Sequence, residues 1–77
     1  MKDFTFTTEQ ALHTTSETLH YFLDVYFYEV FDYEAQLIHE DGSYAEVEGG
    51  DGKKWAVHAM GDGDFISHRV KFELINQ

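Results

Sequence analysis

The chain has 77 residues, with 5 Lys plus Arg against 15 Asp plus Glu, a formal net charge of −10, and neither Cys nor Pro. A length like this makes one small domain that buries about 60–65% of the surface its unfolded form exposes, too little to enclose a large substrate cavity beside a core. The charge balance speaks against direct binding of nucleic acid or of an anionic membrane surface, which both need Lys and Arg, and the missing Cys removes disulfides, thiolate nucleophiles and zinc ribbons.

Met1 to Phe6 holds no apolar run of signal-peptide length, and nothing approaches the roughly 18–20 apolar residues that span a bilayer, so a cytoplasmic location is expected. Phe4-Thr5-Phe6 is expected either to add a short edge strand or to staple the start of a helix. Thr7-Thr8-Glu9-Gln10 has the form of a capping box, with Thr7 as cap and Gln10 reaching back. Downstream, Leu12, Ser16, Leu19, Leu23, Tyr26, Val30, Tyr33 and Leu37 recur at three- and four-residue steps, which places them on one stripe of a helix. The spacing predicts a helix from about residue 8 to about residue 30. Seven of the thirteen residues from Tyr21 to Tyr33 are aromatic, and Val25, Phe27, Phe31 and Tyr33 also alternate as a strand would. The helical stripe is longer and starts at a cap, so helix is preferred there.

After the helix the period changes to two. Glu34–Glu40 reads as a strand, Asp41-Gly42-Ser43 as a turn and Tyr44–Glu48 as the partner strand. A three-residue loop pairs Leu37 with Val47 and His39 with Ala45 on one face, and Ile38 with Glu46 and Glu40 with Tyr44 on the other. Gly49-Gly50-Asp51-Gly52 reads as a flexible connection. Lys54–Met60 and Asp64–Ile75 form a second hairpin around Asp62-Gly63, pairing Trp55 with Val70, Val57 with His68 and Ala59 with Ile66 on an apolar face continued by Phe72 and Leu74. His58, Ser67, Arg69, Lys71 and Glu73 take the opposite face. The expected architecture is α+β: one long N-terminal helix packed on a four-stranded antiparallel sheet of two consecutive hairpins.

The charge layout is the most informative functional feature. Residues 1–52 hold twelve acids against Lys2 alone, a charge of −11, whereas residues 53–77 hold four bases and three acids, a charge of +1. Glu46 and Glu48 lie on one strand face about 6.6 Å apart, at about 3.3 Å rise per residue. Glu34 and Glu40 are expected on the same outer face of the neighbouring strand. Such a plate of carboxylates, spaced comparably to nucleic-acid phosphates, would fit the basic groove of a protein that binds DNA or RNA. The alternative is a solvated surface that keeps a small protein soluble.

The aromatic surplus is the second feature. Tyr21, Phe22, Phe27, Tyr28 and Phe31 lie off the stripe that faces the sheet, so either a partner covers them as a homodimer seam or the chain turns to strand near residue 25 and buries them. The five histidines give no metal signal. His13 and His20 are two helical turns apart, His39 and His68 are expected on the core side and His58 on the other, and no pair has metal-ligand spacing. Asp51-Gly52 and Gly61-Asp62-Gly63-Asp64 lack the spacing of a calcium loop and read as turns. Ser16, Ser43 and Ser67 have no nucleophile-elbow context, and carboxylate pairs such as Asp62 and Asp64 are no more than this acidic composition supplies. No cofactor, no metal and no catalysis are expected.

The profile, small, acidic, rich in aromatics and free of cysteine, is similar to that of phage-borne inhibitors such as anti-restriction proteins, anti-CRISPR proteins and uracil-DNA glycosylase inhibitors; it is a likeness of profile without a shared motif. The expected function is a non-enzymatic, acidic binding protein that blocks a basic, nucleic-acid-binding site on a partner. Asp32, Glu34, Glu40, Asp41, Glu46, Glu48 and Asp51 would carry it, with Tyr44 beside them for stacking or hydrogen bonding. The alternatives are a homodimeric module that uses its aromatic helix as interface and a binder of small ligands between helix and sheet.

Overall fold

The computed structural model describes residues 2–60 and 66–76. Among these, five strands form one antiparallel sheet, β1 (Lys2–Thr7), β2 (Gln36–Asp41), β3 (Tyr44–Glu48), β4 (Lys54–Met60) and β5 (Ser67–Asn76), in the spatial order β1-β5-β4-β3-β2. One helical segment, residues 15–30, lies between β1 and β2 in the chain and packs on one face of the sheet. The α+β class therefore stands, with five strands in place of four: Phe4 and Phe6 belong to an edge strand paired with β5, in the register Phe4↔Val70 and Phe6↔His68. None of the described helices is long and apolar enough to cross a membrane.

The helix starts later than the stripe suggests. Thr7 ends β1, and the cap is Thr14, whose Oγ1 accepts a hydrogen bond from Glu17 N at 3.1 Å. Thr14 is thus the working N-cap, with Glu17 Oε1 accepting from the Thr14 hydroxyl at 3.5 Å, and His13 lies outside the helix. α1 (Thr15–Tyr21) runs into a π-helical turn (Phe22–Tyr26) and then into α2 (Phe27–Val30), where Phe31 turns extended at φ −109° and ψ 160°. A π turn inserts one residue and rotates everything beyond it relative to the face before it. The deeply buried positions accordingly step from Leu19 to Phe22 and then by five residues to Phe27. Tyr33, placed on the stripe by its spacing, is 86% exposed.

This rotation, together with β1, disposes of most of the aromatic surplus. Phe22 is completely buried and Phe27 nearly so, Phe22 against Phe72 at 5.5 Å between ring centroids and against Phe4 at 5.6 Å. Tyr21 stacks on Phe6 at 5.6 Å and 10°, and Phe31 meets Phe72 edge-on at 5.6 Å and 83°. Of the five rings expected at a seam, Phe22 and Phe27 are buried, Tyr21 and Phe31 are half-buried against Phe6 and Phe72, and Tyr28 alone is exposed, stacked on Tyr33 at 5.1 Å, so the five do not form one uncovered face. Beneath the helix the sheet offers small side chains, Ala45, Val47, Val57, Ala59 and Val70, which let the rings approach closely.

Both hairpin registers differ from expectation. In β2–β3, Leu37↔Val47 holds, but a bulge at Ile38 gives His39↔Glu46, Glu40↔Ala45 and Asp41↔Tyr44. The loop is then the two residues Gly42-Ser43, with Gly42 at φ +64°, a left-handed conformation open to glycine at little cost. In β4–β5, the pairs are Trp55↔Leu74, Val57↔Phe72 and Ala59↔Val70, a slide of four residues from the expected pairing. An even slide leaves every side chain on its face, so Val57, Ala59, His68, Val70 and Phe72 are buried as expected. The turn assigned to Asp62-Gly63, and Asp64 as the start of the last strand, lie outside the described residues; β5 begins at Ser67.

Candidate functional site

The bulge at Ile38 breaks up the expected carboxylate plate. Beyond it the alternation of β2 is inverted, so Glu40 pairs beside inward-facing Ala45, on the side of the sheet that carries the helix. There Glu40 Oε2 lies 2.8 Å from His20 Nε2. His39, expected on the core side, goes to the open face beside Glu46, with its ring 6.3 Å from that of Tyr44. On that open face acids and bases interleave across the strands: Glu48 stands opposite Lys54, Tyr44 opposite His58, and His58 opposite Lys71. The excess of acid in the first two thirds of the chain thus does not become a uniform acidic sheet.

Tyr44 and Glu46 form one unit on this face. The phenol donates to Glu46 Oε2 at 2.7 Å, and the Tyr44 ring lies 4.9 Å from that of His58. The hydrogen bond to the Glu46 carboxylate, helped by partial burial and by the charges of Glu46 and Glu73, raises the Tyr44 hydroxyl above its usual 10.0. Asp41 sits opposite Tyr44 at the end of the β2–β3 hairpin.

Carboxylates converge instead at the other end of the sheet, where the exit of the helix meets the β3–β4 loop. Asp32 opens a tight turn in which Ala35 N donates to Asp32 O at 3.0 Å, and its own Oδ1 accepts from Glu34 N at 3.0 Å, as an Asp at the start of a turn commonly does. The same carboxylate accepts from Gly50 N at 3.2 Å through each oxygen, so Asp32 ties the helix exit to the loop. Glu34 follows in that turn rather than in a strand, and packs so close to Gly50 that a Cβ there would lie 2.8 Å from Glu34 Oε2. Asp51 Oδ1 accepts from Lys53 N at 3.0 Å, and Glu48 closes the group at the end of β3, opposite Gln36. Asp32, Glu34, Glu48 and Asp51, all singled out by sequence, are therefore together, whereas Asp41, Tyr44 and Glu46 form a separate group and Glu40 stands apart.

Beside this acidic end opens a cleft of about 160 Å³ lined by Val30, Phe31, Asp32, Gly49, Asp51, Trp55 and Phe72. Sequence reasoning passed over Trp55, Val30 and Phe72 as site residues, because their alternation or spacing assigned them to the core. Trp55 is nevertheless only half-buried, at the end of β4 nearest the loop. Among the described residues, no three His, Asp or Glu side chains come together as a metal site. The Asp51-Gly52 run makes a turn in which Gly52 N donates to Gly49 O at 2.9 Å. The fold and site define an α+β protein with one open sheet face and an acidic, aromatic cleft at one end. A scan against protein-family models finds no match for this chain, and searches of the curated proteins and of the solved structures find none.

Proposed function

We propose that this chain is a non-enzymatic binding protein whose acidic end docks on a basic, nucleic-acid-binding surface of a partner protein. The observation that supports this reading best is the convergence of Asp32, Glu34 and Asp51 around the Gly49-Gly50 backbone, with Glu48 adjoining. Three of these four residues are exposed and Glu48 is half-buried, and the net charge of −10 adds long-range attraction for a basic surface. Charges of this kind raise association rates and impose salt sensitivity, while a few desolvated pairs supply affinity. Asp41, Tyr44 and Glu46 would extend the contact along the open face. Glu40 is left out, because its carboxylate is engaged with His20 on the helix side.

The test is capture from a nuclease-treated lysate of the source organism, with elution in salt steps from about 0.05 to about 1 M across the range where screening takes hold. A nucleic-acid-binding protein retained by the native chain, released at moderate salt and retained poorly by Glu34→Gln/Glu48→Gln is the expected result. Equal retention by the double variant overturns the reading.

A second reading, a homodimer, is favoured by one surface. Val25, Tyr28 and Tyr33 are exposed at 53%, 54% and 86%, and the two tyrosines stack on each other, with Tyr28 also edge-on to the core ring of Phe27. Self-association that survives high salt and is lost in Tyr28→Glu is what this reading expects.

A further inference from the structure

We infer that the cleft between the helix exit and the β3–β4 loop is a receptor for a single guanidinium group, the end of an arginine side chain presented by a partner. The inference rests on the proposed docking of the acidic end and names the anchor within it.

Three properties of the cleft lead to this ligand. The first is size. About 160 Å³ is several times what one water requires, yet well short of the roughly 300–1,000 Å³ of pockets for drug-sized molecules and cofactors. A space of that size takes the end of a side chain. The second is the wall material. Phe31 and Trp55, both half-buried, supply aromatic surface, and the edge-on contact of Phe31 with the buried ring of Phe72 holds Phe31 in place. A cation over an aromatic face is attracted by the ring quadrupole, and Arg is the side chain found there most often, because its planar group also stacks.

The third is charge. Asp32 and Asp51 are the charged residues of the lining, and no Lys or Arg is among them. Both carboxylates are held in place by backbone N–H groups, Asp32 by those of Glu34 and Gly50 and Asp51 by that of Lys53. These bonds leave acceptor capacity on each, since a carboxylate offers about four lone-pair sites. A guanidinium entering the cleft beside Phe31 and Trp55 thus meets fixed acceptors whose ordering cost was met on folding. An ammonium would gain the charge attraction without the planar stacking, and a neutral group of the same shape would gain the stacking alone.

The probe is N-acetyl-arginine amide, titrated into the isotope-labelled native chain and followed by the Trp55 indole N–H and the Gly49 and Asp51 amide resonances. N-acetyl-citrulline amide, planar and neutral, is the control. The expected result is saturable movement of these resonances with a dissociation constant in the millimolar range, absent with the citrulline analogue and weakened about tenfold in Asp51→Asn, a loss typical of a charged hydrogen bond. Asp51→Asn keeps the side-chain oxygen for Lys53 N, and an otherwise unchanged amide spectrum shows that it folds. Movement that is equal for both probes, or that leaves Trp55 and Gly49 unmoved, overturns the inference.

The two proposals fail separately. A silent cleft combined with salt-sensitive capture that Glu34→Gln/Glu48→Gln reduces removes the arginine receptor and leaves the acidic docking reading. Arginine-specific binding in the cleft combined with capture indifferent to that double variant does the reverse.

Discussion

His20 Nε2 lies 2.8 Å from Glu40 Oε2, linking the last turn of α1 to β2 on the side of the sheet that the helix covers. The contact is an ion pair whenever His20 is protonated and a hydrogen bond from Nε2–H when it is not. Because the two side chains are 58% and 32% exposed, solvent screens it strongly. A double-mutant cycle with His20→Ala and Glu40→Gln should give a coupling of no more than about 1 kcal/mol, and about 1 M salt should erase most of it. Urea unfolding of the four chains measures the coupling. A value well above that range would mean that the pair is less solvated than its exposure shows.

The aromatic residues of the helix should divide sharply on mutation. Phe22 is fully buried between Phe4 and Phe72, so Phe22→Ala removes a ring and leaves a cavity at a cost of about 3–5 kcal/mol. That is a large part of the roughly 4–12 kcal/mol expected for 77 residues. Tyr28 is exposed and lies edge-on to Phe27, so Tyr28→Glu should cost under about 1 kcal/mol. Sedimentation of the Tyr28→Glu variant then reads the homodimer surface without a folding defect to confuse it. A loss of fold in this variant would contradict the burial described here.

The close approach at Gly50 gives a third expectation. A Cβ at this position would lie 2.8 Å from both Cβ and Oε2 of Glu34 and 3.1 Å from Asp32 Oδ1. Gly50→Ala must therefore push the 32–35 turn away from the loop and strain the bonds from Gly50 N to Asp32, at about 1–3 kcal/mol. Glu34→Ala in the same chain removes the Oε2 contact and keeps the Cβ contact, so it should restore only part of the loss. Thermal unfolding of the single and double variants decides this. A harmless Gly50→Ala would show that the loop and the turn are not locked together.

Much of this arrangement is legible in the sequence, and the misplaced side-chain faces trace to two insertions. Side-chain faces in β4 and β5 follow from alternation alone, and they survive a four-residue error in pairing because the error is even. The β2–β3 loop is marked by Gly42, and the helix end near Val30 by the change of period. Two of the failures come from single-residue insertions. The π turn at Phe22–Tyr26 rotates Phe27 and Phe31 inward, and the bulge at Ile38 turns Glu40 away from Glu46 and Glu48. One extra residue in a ladder or a helix leaves no mark on composition, yet it moves every later side chain to another face. The helix start is a different case. Two threonine caps compete, and Thr14 prevails because pairing with β5 holds the chain extended through Thr7.

The Tyr44–Glu46 bond should be visible in an alkaline titration. Tyr44 donates to a carboxylate, so ionising the phenol would lose the hydrogen bond and set two negative charges together, with Glu73 adding to the repulsion. The folded-state pKa is therefore raised above 10.0. For a group raised in this way, the stabilising contribution is complete below the unfolded value and fades as pH climbs through the folded value. Phenolate absorbance against pH should show a component above the ordinary tyrosine range that disappears in Tyr44→Phe. Glu46→Gln should bring that component back toward 10.0, because the neutral amide can still accept the bond without repelling the phenolate. Glu73→Gln should move it in the same direction by less, since that charge is the smallest of the causes. A component that stays put in Glu46→Gln would mean that the negative charge of Glu46 does not contribute to the raised ionisation of Tyr44.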